Sequence, residues 1–356
     1  MRNLILIDIT TYHDDTSIKN RAIGASEYQC YNLIENLSPH FNIKCYNNKN
    51  SAISTDKCNY YPLNSILEEI LNDDIIICQR FMPELCGPIY NKIKNNKIYI
   101  WMHDLIENHI FIFQRSQEEK KYYSNNELFK DIIDVYYKNI NINFIFVSNH
   151  LKNMFISKFN FEQDRLHVIY NILYDSEFVN IKNQEMLVNK NQITYASAWQ
   201  KGINHIISLF DYIFKIDNDI ILNLLNPGYD WGNHQHYATE LKDKYRDRII
   251  IHGPVNKKEY AKIIKQSLCV ISTTFNETFG CVFAESYYLG TPVIADYRTG
   301  AVKEIIDNNF IVNINDHNSV YNKIVQLQLK REIVNLNNKF LLEEGLNNWL
   351  KILSIN

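Results

Sequence analysis

Long apolar runs are missing from this chain. No stretch approaches the roughly 18 consecutive apolar residues that a membrane span needs, so a soluble protein is expected, with peripheral contact at a membrane surface left open. Blocks of like charge and basic stripes are missing too. At a formal net charge of −3 over 356 residues, nucleic-acid binding is not expected and charge selects no partner. The seven cysteines, Cys30, Cys45, Cys58, Cys78, Cys86, Cys269 and Cys281, are scattered, odd in number and often inside apolar runs. That fits neither a disulfide framework nor a paired metal motif, and it points to a reducing compartment. His234 and His236 share a polar loop with no third ligand nearby, a poor metal site, so no metal is expected. Arg2-Asn3 leads straight into a strand pattern without the core and cleavage site of a signal peptide, and a cytoplasmic location is expected. No internal repeat or extended low-complexity segment interrupts the chain.

What the chain has instead is alternation. Short β-branched apolar runs are separated by amphipathic stretches, the pattern of parallel sheets covered by helices on both faces. Strands are expected at Leu4 to Ile9, Phe41 to Tyr46, Asp74 to Cys78, Ile98 to Met102 and Phe144 to Ser148. The series restarts at Ile193 to Ser197, Ile220 to Leu225, Arg248 to His252, Leu268 to Ser272 and Pro292 to Ala295. A first helix is expected from Ser26 to Leu37, with Ser26 as its N-cap. At about 100–200 residues per domain, two doubly wound, Rossmann-like α/β domains account for the length. They are expected at residues 1–172 and 191–336, joined by a polar linker at 173–190 where apolar periodicity lapses. A tail at 337–356 has helical spacing, with Leu341, Leu342, Leu346, Trp349, Leu350 and Leu353 apolar.

The densest cluster of chemistry is Asn276 to Asp296, NETFGCVFAESYYLGTPVIAD. Cys269 to Ser272 reads as a buried parallel strand, Asn276 to Gly280 as its exit loop and Val282 to Leu289 as the following helix. Glu277 then stands on the loop at the carboxyl end of a strand, where open α/β sheets bind ligands. Glu285, with seven residues between it and Glu277, lies in the early turns of the helix and can face the same crevice. Backbone N–H groups near Gly280 and Cys281 at the helix start suit an anion such as phosphate. Gly280 lets that anion come close.

This pattern resembles the Glu-x7-Glu signature of retaining glycosyltransferases with the GT-B fold, family 4, also described as glycosyl transferases group 1. Gly290-Thr291-Pro292-Val293-Ile294-Ala295 matches that family's Gly-x-Pro-Val strand, and Ile251-His252-Gly253-Pro254-Val255 with Glu259-Tyr260 resembles its nucleotide-base segment. Lys201-Gly202 resembles its pyrophosphate-binding lysine. Val168-Ile169-Tyr170-Asn171 resembles its hinge, Gly24-Ala25-Ser26-Glu27 its Gly-Gly-x-Glu loop, and His103-Asp104 its His-Asp pair. The likeness is strongest from about residue 193 to 306 and weakest before 150.

The resemblance implies a GT-B architecture of two Rossmann-like domains facing a cleft, with the tail crossing back to the first domain. It implies a metal-independent, retaining hexosyltransferase that needs no cofactor. The donor would be a nucleoside diphosphate sugar, UDP first and GDP next, and the acceptor a hydroxyl on a glycan, protein or lipid. Residue by residue, Glu285 would accept hydrogen bonds from the ribose. Glu277, with backbone groups of Thr278, Phe279 and Gly280, would hold the transferred sugar, and Cys281 would open the anion-binding helix. Lys201 would neutralise the pyrophosphate, and His103 would touch the donor sugar and acceptor near the reacting carbon. Gly24 and Ala25 would pass the backbone close to the phosphates, while Gly253 to Val255 would read the base. Tyr229-Asp230-Trp231, after Asn226-Pro227-Gly228, reads as packing around a turn before it reads as a cap on the nucleotide.

One position departs from the family. An arginine commonly stands five residues before the lysine, and here that place is Ala196. Either another cation, Arg298 or Lys257, shares the pyrophosphate, or the chain is a non-catalytic or weakly active sugar-nucleotide binder. A GT-B sugar-nucleotide epimerase is the further alternative.

Overall fold

The computed structural model describes residues 1–8, 13–14, 24–66, 70–71, 73–80, 88–105, 135, 138–173, 176–225 and 235–353. Cys86, Asn226 to Trp231 and His234 lie outside the described residues. Two compact units divide the chain, one running to Ile172 and including the C-terminal stretch from Glu343, the other from Leu173 to Leu342.

The first unit is built on an eight-stranded sheet. Its strands are β1 (Arg2–Asp8), β2 (Phe41–Asn47), β3 (Ile53–Ser54), β4 (Asn59–Pro62), β5 (Ile75–Gln79), β6 (Lys97–Met102), β7 (Ile142–Phe146) and β8 (Leu166–Val168). They lie in the order β3-β4-β2-β1-β5-β6-β7-β8. All neighbours are parallel except β3, which pairs antiparallel with β4. The central strands are apolar on both faces, β5 being buried throughout, because helices cover a parallel sheet on both sides. Helices α1 (Ala25–Leu37), α2 (Pro88–Ile93) and α3 (Asn149–Lys158) supply cover. Ser148 caps α3 by accepting from the Leu151 N–H at 3.0 Å.

Helix α1 starts one residue earlier than its sequence suggests. Its N-cap is Gly24, which contributes no side-chain bond. Ser26, expected as the cap, sits in the first turn and donates to Glu27 at 3.2 Å instead.

The second unit carries a six-stranded, all-parallel sheet in the order β11-β10-β9-β12-β13-β14. Its strands are β9 (Asn189–Tyr195), β10 (Ile221–Leu225), β11 (Ile249–His252), β12 (Ser267–Ser272), β13 (Val293–Asp296) and β14 (Ile311–Val312). Its helices are α4 (Ser176–Lys182), α5 (Ile203–Ile216), α6 (Gln235–Tyr245), α7 (Lys257–Gln266), α8 (Cys281–Tyr288), α9 (Val302–Ile305) and α10 (His317–Leu329). In α5 the buried residues Ile203, Ile206, Leu209, Phe210, Ile213 and Phe214 recur at three- and four-residue steps, one stripe of a 3.6-residue helix. The segment 173–190 is not a plain linker. It contains α4 and belongs to this unit, because Lys265 on α7 caps α4, donating to the carbonyls of Ile181, Lys182 and Gln184 at 2.7, 2.6 and 2.6 Å.

The tail forms α11 (Leu342–Leu353), whose residues from Glu343 count with the first unit. There Trp349 meets Trp101 edge-on with ring centroids 5.0 Å apart, and Tyr99 donates its hydroxyl to the Ile352 carbonyl at 2.7 Å. Gly345 allows the approach, since a Cβ there would lie 2.5 Å from Ile172 Cγ1. Among the described residues no helix is long and apolar enough to cross a membrane.

Each sheet reverses direction once. In the second unit β9 leads outward to β10 and β11, and the chain then returns to place β12 on the other side of β9. In the first unit the reversal falls between β1 and β5. The loops leaving strands at such a reversal diverge and open a crevice at the carboxyl ends.

Candidate functional site

Two exit loops meet at the β9/β12 reversal. After β9 the chain makes a tight turn at Trp199–Lys201, anchored by buried Trp199, whose Nε1 donates to the Leu225 carbonyl at 3.1 Å. Gly202 follows at φ +139°, and a Cβ there would lie 2.7 Å from Thr273 Oγ1 and 2.9 Å from the Thr273 carbonyl oxygen. Only glycine fits. Thr273, just past β12, donates its hydroxyl to the Gly202 carbonyl at 2.9 Å and so ties the two loops together. Across that tie Lys201 Nζ donates to both carboxylate oxygens of Glu277 at 3.2 Å. The lysine side chain is 48% exposed and the glutamate 18%, so the pair faces the crevice and not the core.

The loop that carries Glu277 is held on both sides. Asn276 adopts a left-handed φ of +55°, its N–H donates to the Arg298 carbonyl at 3.3 Å, and the Ala301 N–H donates to the Glu277 carbonyl at 3.0 Å. Gly280 takes φ +90° and ends the loop as the N-cap of α8. A Cβ on it would sit 2.4 Å from the Phe283 ring. The amides of Phe283 and Ala284 bond to the Gly280 carbonyl at 3.0 and 3.4 Å, so the helix starts tightly behind the loop. Thr278 and Cys281 are half-buried. Phe279 is buried and packs on Phe340 with ring centroids 5.8 Å apart, so its side chain is core and only its backbone belongs to the loop.

One turn into α8, Glu285 is 6% exposed and accepts from Lys257 Nζ at 2.8 Å. The ammonium lies 5.5 Å from the Phe178 ring centre and 5.3 Å from that of Tyr260, an aromatic setting suited to a cation. The Tyr260 hydroxyl is buried beside Glu285, and burial, then the carboxylate, push its pKa well above the ordinary phenol value. Gly253 is exposed and Val255 half-buried in the loop from β11 to α7. Nothing lies within 4 Å of a Cβ built at Gly253, so sterics do not demand glycine there. Asn256 caps α7, accepting from the Glu259 N–H at 2.9 Å.

The missing arginine at Ala196 directs attention to other cations. Arg298 is committed elsewhere. Its Nε and NH2 groups donate to the fully buried Asp296 at 2.6 and 2.9 Å, and its guanidinium stacks 4.2 Å from the Phe275 ring centre. Burial alone would raise the Asp296 pKa, but bonds from Arg298 and from the Ile314 and Arg298 amides outweigh it and hold the carboxyl below its usual range. Lys257 stands by Glu285, as Lys201 stands by Glu277. The one Asp-x-Asp triplet in the sequence, Asp217-Asn218-Asp219, precedes β10 at the amino ends of the strands, the opposite edge from these loops.

The remaining sequence candidates lie in the first unit. His103 leaves β6 and is buried with its ring 4.4 Å from that of Trp101. Its neighbour Asp104 accepts from Arg80 Nε at 2.8 Å. Arg80 leaves β5 at φ +74°, donates to Ser26 Oγ and stands 3.7 Å from Glu27 Oε1. It thereby connects the His-Asp loop to the start of α1, at the reversal between β1 and β5. A Cβ at Gly24 would lie 2.1 Å from Glu27 Oε2, the far end of a flexible side chain that can shift, so sterics do not demand glycine there, and Ala25 opens the helix behind it. Sequence reasoning passed over Arg80, and its available signal was a charged residue directly after the apolar strand Ile75 to Gln79. It passed over the Thr273 tie as well, for which the sequence offers no local mark.

Comparison with known proteins adds to this geometry. The family model described as glycosyl transferases group 1 matches residues 180–340. An uncharacterized glycosyltransferase of Methanocaldococcus jannaschii is 28% identical over 180 residues, 46% of this chain and 44% of that protein. An alpha-1,3/1,6-mannosyltransferase of Dictyostelium discoideum is 27% identical over 132 residues, 34% of this chain and 31% of that protein. The matched segments thus span less than half the length of these curated relatives. Among solved structures, a sucrose-phosphate synthase from Thermosynechococcus elongatus superposes with a TM-score of 0.72 at 15% identity, covering 99% of this chain and 98% of that one. HepE of Anabaena, solved in complex with UDP and glucose, superposes with a TM-score of 0.65 at 15% identity over 99% of both chains.

Proposed function

From the match of residues 180–340 to the glycosyl transferases group 1 model and the GT-B fold of the chain, we propose that this protein is a retaining hexosyltransferase of family 4. It moves a hexosyl group from a nucleoside diphosphate sugar to an acceptor hydroxyl on a glycan, protein or lipid. UDP is the first carrier to test and GDP the second, a choice favoured by the UDP bound to the HepE neighbour. The observation that carries the reading is the Lys201–Glu277 pair, held by the Gly202–Thr273 tie at the sheet reversal.

The chemistry follows from that pair. In the absence of donor each member satisfies the other. When the diphosphate enters, Lys201 turns from Glu277 to the phosphate oxygens, and Glu277 is released to accept hydroxyls of the transferred sugar. The ammonium then opposes charge that grows on the leaving diphosphate, so it stabilises the transition state more than the ground state. Glu285, positioned by Lys257, accepts from the ribose hydroxyls, and the amide-rich start of α8 faces phosphate. In the first unit Asp104 and Arg80 fix the loop that carries His103. No catalytic metal or cofactor is needed, since the ammonium and the helix start supply the neutralisation.

Incubation with a panel of nucleotide sugars, with and without acceptors, tests this directly. Release of free nucleoside diphosphate that depends on acceptor, with a product of retained anomeric configuration, is expected. Binding without turnover across the panel would leave a sugar-nucleotide binder, and an isomerised sugar without acceptor would mark an epimerase.

A further inference from the structure

The scattered cysteines do not stay scattered. Cys30 on α1, Cys45 on β2 and His13 beyond β1 place one ligand atom each within 4.8 Å of one another, in the interior of the first unit. Cys30 is 1% exposed, Cys45 and His13 not at all. His13 is entirely buried, its Nε2 faces a carboxylate outside hydrogen-bond geometry, and its Nδ1 makes no hydrogen bond, although buried polar groups are almost always paired. The backbone of His13 is fixed, since Asn47 Nδ2 donates to its carbonyl at 2.7 Å. Asp8, at the end of β1 and equally buried, brings Oδ2 to 3.4 Å from His13 Nε2.

We propose that His13, Cys30 and Cys45 supply three of the four ligands of a zinc ion in the first unit, with a water in the fourth position and Asp8 orienting the imidazole. Two sulfurs and one imidazole nitrogen form a donor set that selects zinc over hard cations. Zinc–sulfur bonds of about 2.3 Å and zinc–nitrogen bonds of about 2.0 Å set neighbouring ligand atoms roughly 3.5 Å apart, so the triad needs only a small contraction. Asp8 beside Nε2 leaves Nδ1 to ligate, the carboxylate–histidine–metal relay common in zinc sites. On binding, the Cys30 and Cys45 thiols each form a sulfur–zinc bond and release their protons to solvent. The two thiolate charges balance the ion. The site joins β1, β2 and α1, and it is separate from the metal-free chemistry proposed above.

The test uses the full chain, purified with reductant and without chelator. Mass spectrometric metal analysis is expected to give about one zinc per chain, falling to background in Cys45→Ser and His13→Gln. Cys269→Ser, a buried cysteine of the other unit, is expected to keep its zinc. Because a core variant can misfold, the unmutated chain supplies a second reading. After stripping and reloading with cobalt it should show a thiolate-to-cobalt band in the near ultraviolet, and its melting temperature should rise with added zinc. Zinc retained equally by His13→Gln, no cobalt–thiolate band in the unmutated chain, or a Cys30–Cys45 disulfide in the non-reduced peptide map would each overturn the proposal.

Discussion

Replacing Lys201 with methionine separates stability from catalysis, because its exposed ion pair and its proposed role at the diphosphate carry effects of different sizes. The ammonium is half exposed and its carboxylate partner lies at the crevice surface. Exposed ion pairs of this kind contribute about 0.2–1 kcal/mol to folding. Methionine keeps the length and apolar body of the side chain, so the melting temperature of Lys201→Met should stay within a few degrees of the parent. Turnover should respond differently. Loss of one group aimed at developing oxyanion charge costs about 2.7–4 kcal/mol, or 10²–10³-fold in kcat. Redundancy is small, since Ala196 offers no charge, Arg298 is bound in two places to Asp296, and Lys257 engages Glu285. The assay is acceptor-dependent release of nucleoside diphosphate, read beside a thermal melt of the same preparation. Glu277→Gln is the companion variant. It frees Lys201 from its carboxylate, so affinity for the nucleoside diphosphate alone should hold or rise while sugar transfer falls. A folded Lys201→Met enzyme with near-normal kcat would refute the reasoning, because another cation would then carry the diphosphate.

Glu285→Ala should weaken nucleoside diphosphate binding by about 1.5–3 kcal/mol, the range for hydrogen bonds to a charged group, as read by calorimetry on a folded variant; unchanged affinity for both UDP and GDP would remove Glu285 from the site. Gly202→Ala should destabilise the second unit by about 1–3 kcal/mol from its backbone conformation alone, and the clash with Thr273 should displace Lys201 and lower kcat, so a normal melt with normal kcat would contradict the tie. Asp296 has a folded pKa below its unfolded value of about 3.9, so its stabilisation is complete above that value and is lost as pH falls through the folded pKa. Asp296→Asn should therefore cost about 2–3 kcal/mol at neutral pH and flatten the acid limb of the denaturant-derived stability curve; a parallel acid limb would count against the assignment. Gly345→Ala should lower stability by about 0.5–2 kcal/mol, because overpacking against Ile172 exceeds the 0.5–1 kcal/mol that alanine gains in a helix; a higher melting temperature would show that Ile172 yields.

Much of this protein was legible in one dimension because the signals involved are local. Hydrophobic periods of two and of about 3.6 residues mark strands and helices wherever they fold, and so the central strands from β1 to β13 were expected within a few residues of where they lie. The two-residue β3 and β14, the three-residue β8 and the four-residue β4 were not, since so few residues carry no period. Helix α4 was read as linker for a related reason. Its seven residues are stabilised by a lysine more than 80 positions away, which leaves no trace in its own pattern. The Glu277–Glu285 spacing, Gly280 and Lys201-Gly202 were readable as candidates because each is a short motif on a strand exit.

Contact across long sequence distance had to come from the sheets. Lys201 and Glu277 are 76 residues apart and meet only because β9 and β12 are neighbours at the sheet reversal, an order that no local period encodes. The same holds for Lys257 with Glu285, 28 residues apart, and for Arg80 with Ser26, 54 apart. It holds most plainly for His13, Cys30 and Cys45. In sequence they are an isolated histidine and two of seven dispersed thiols. The pairing of β1 with β2 beneath α1 gathers them, because strand register and helix docking are set by burial of the whole core and not by the residues that end up side by side.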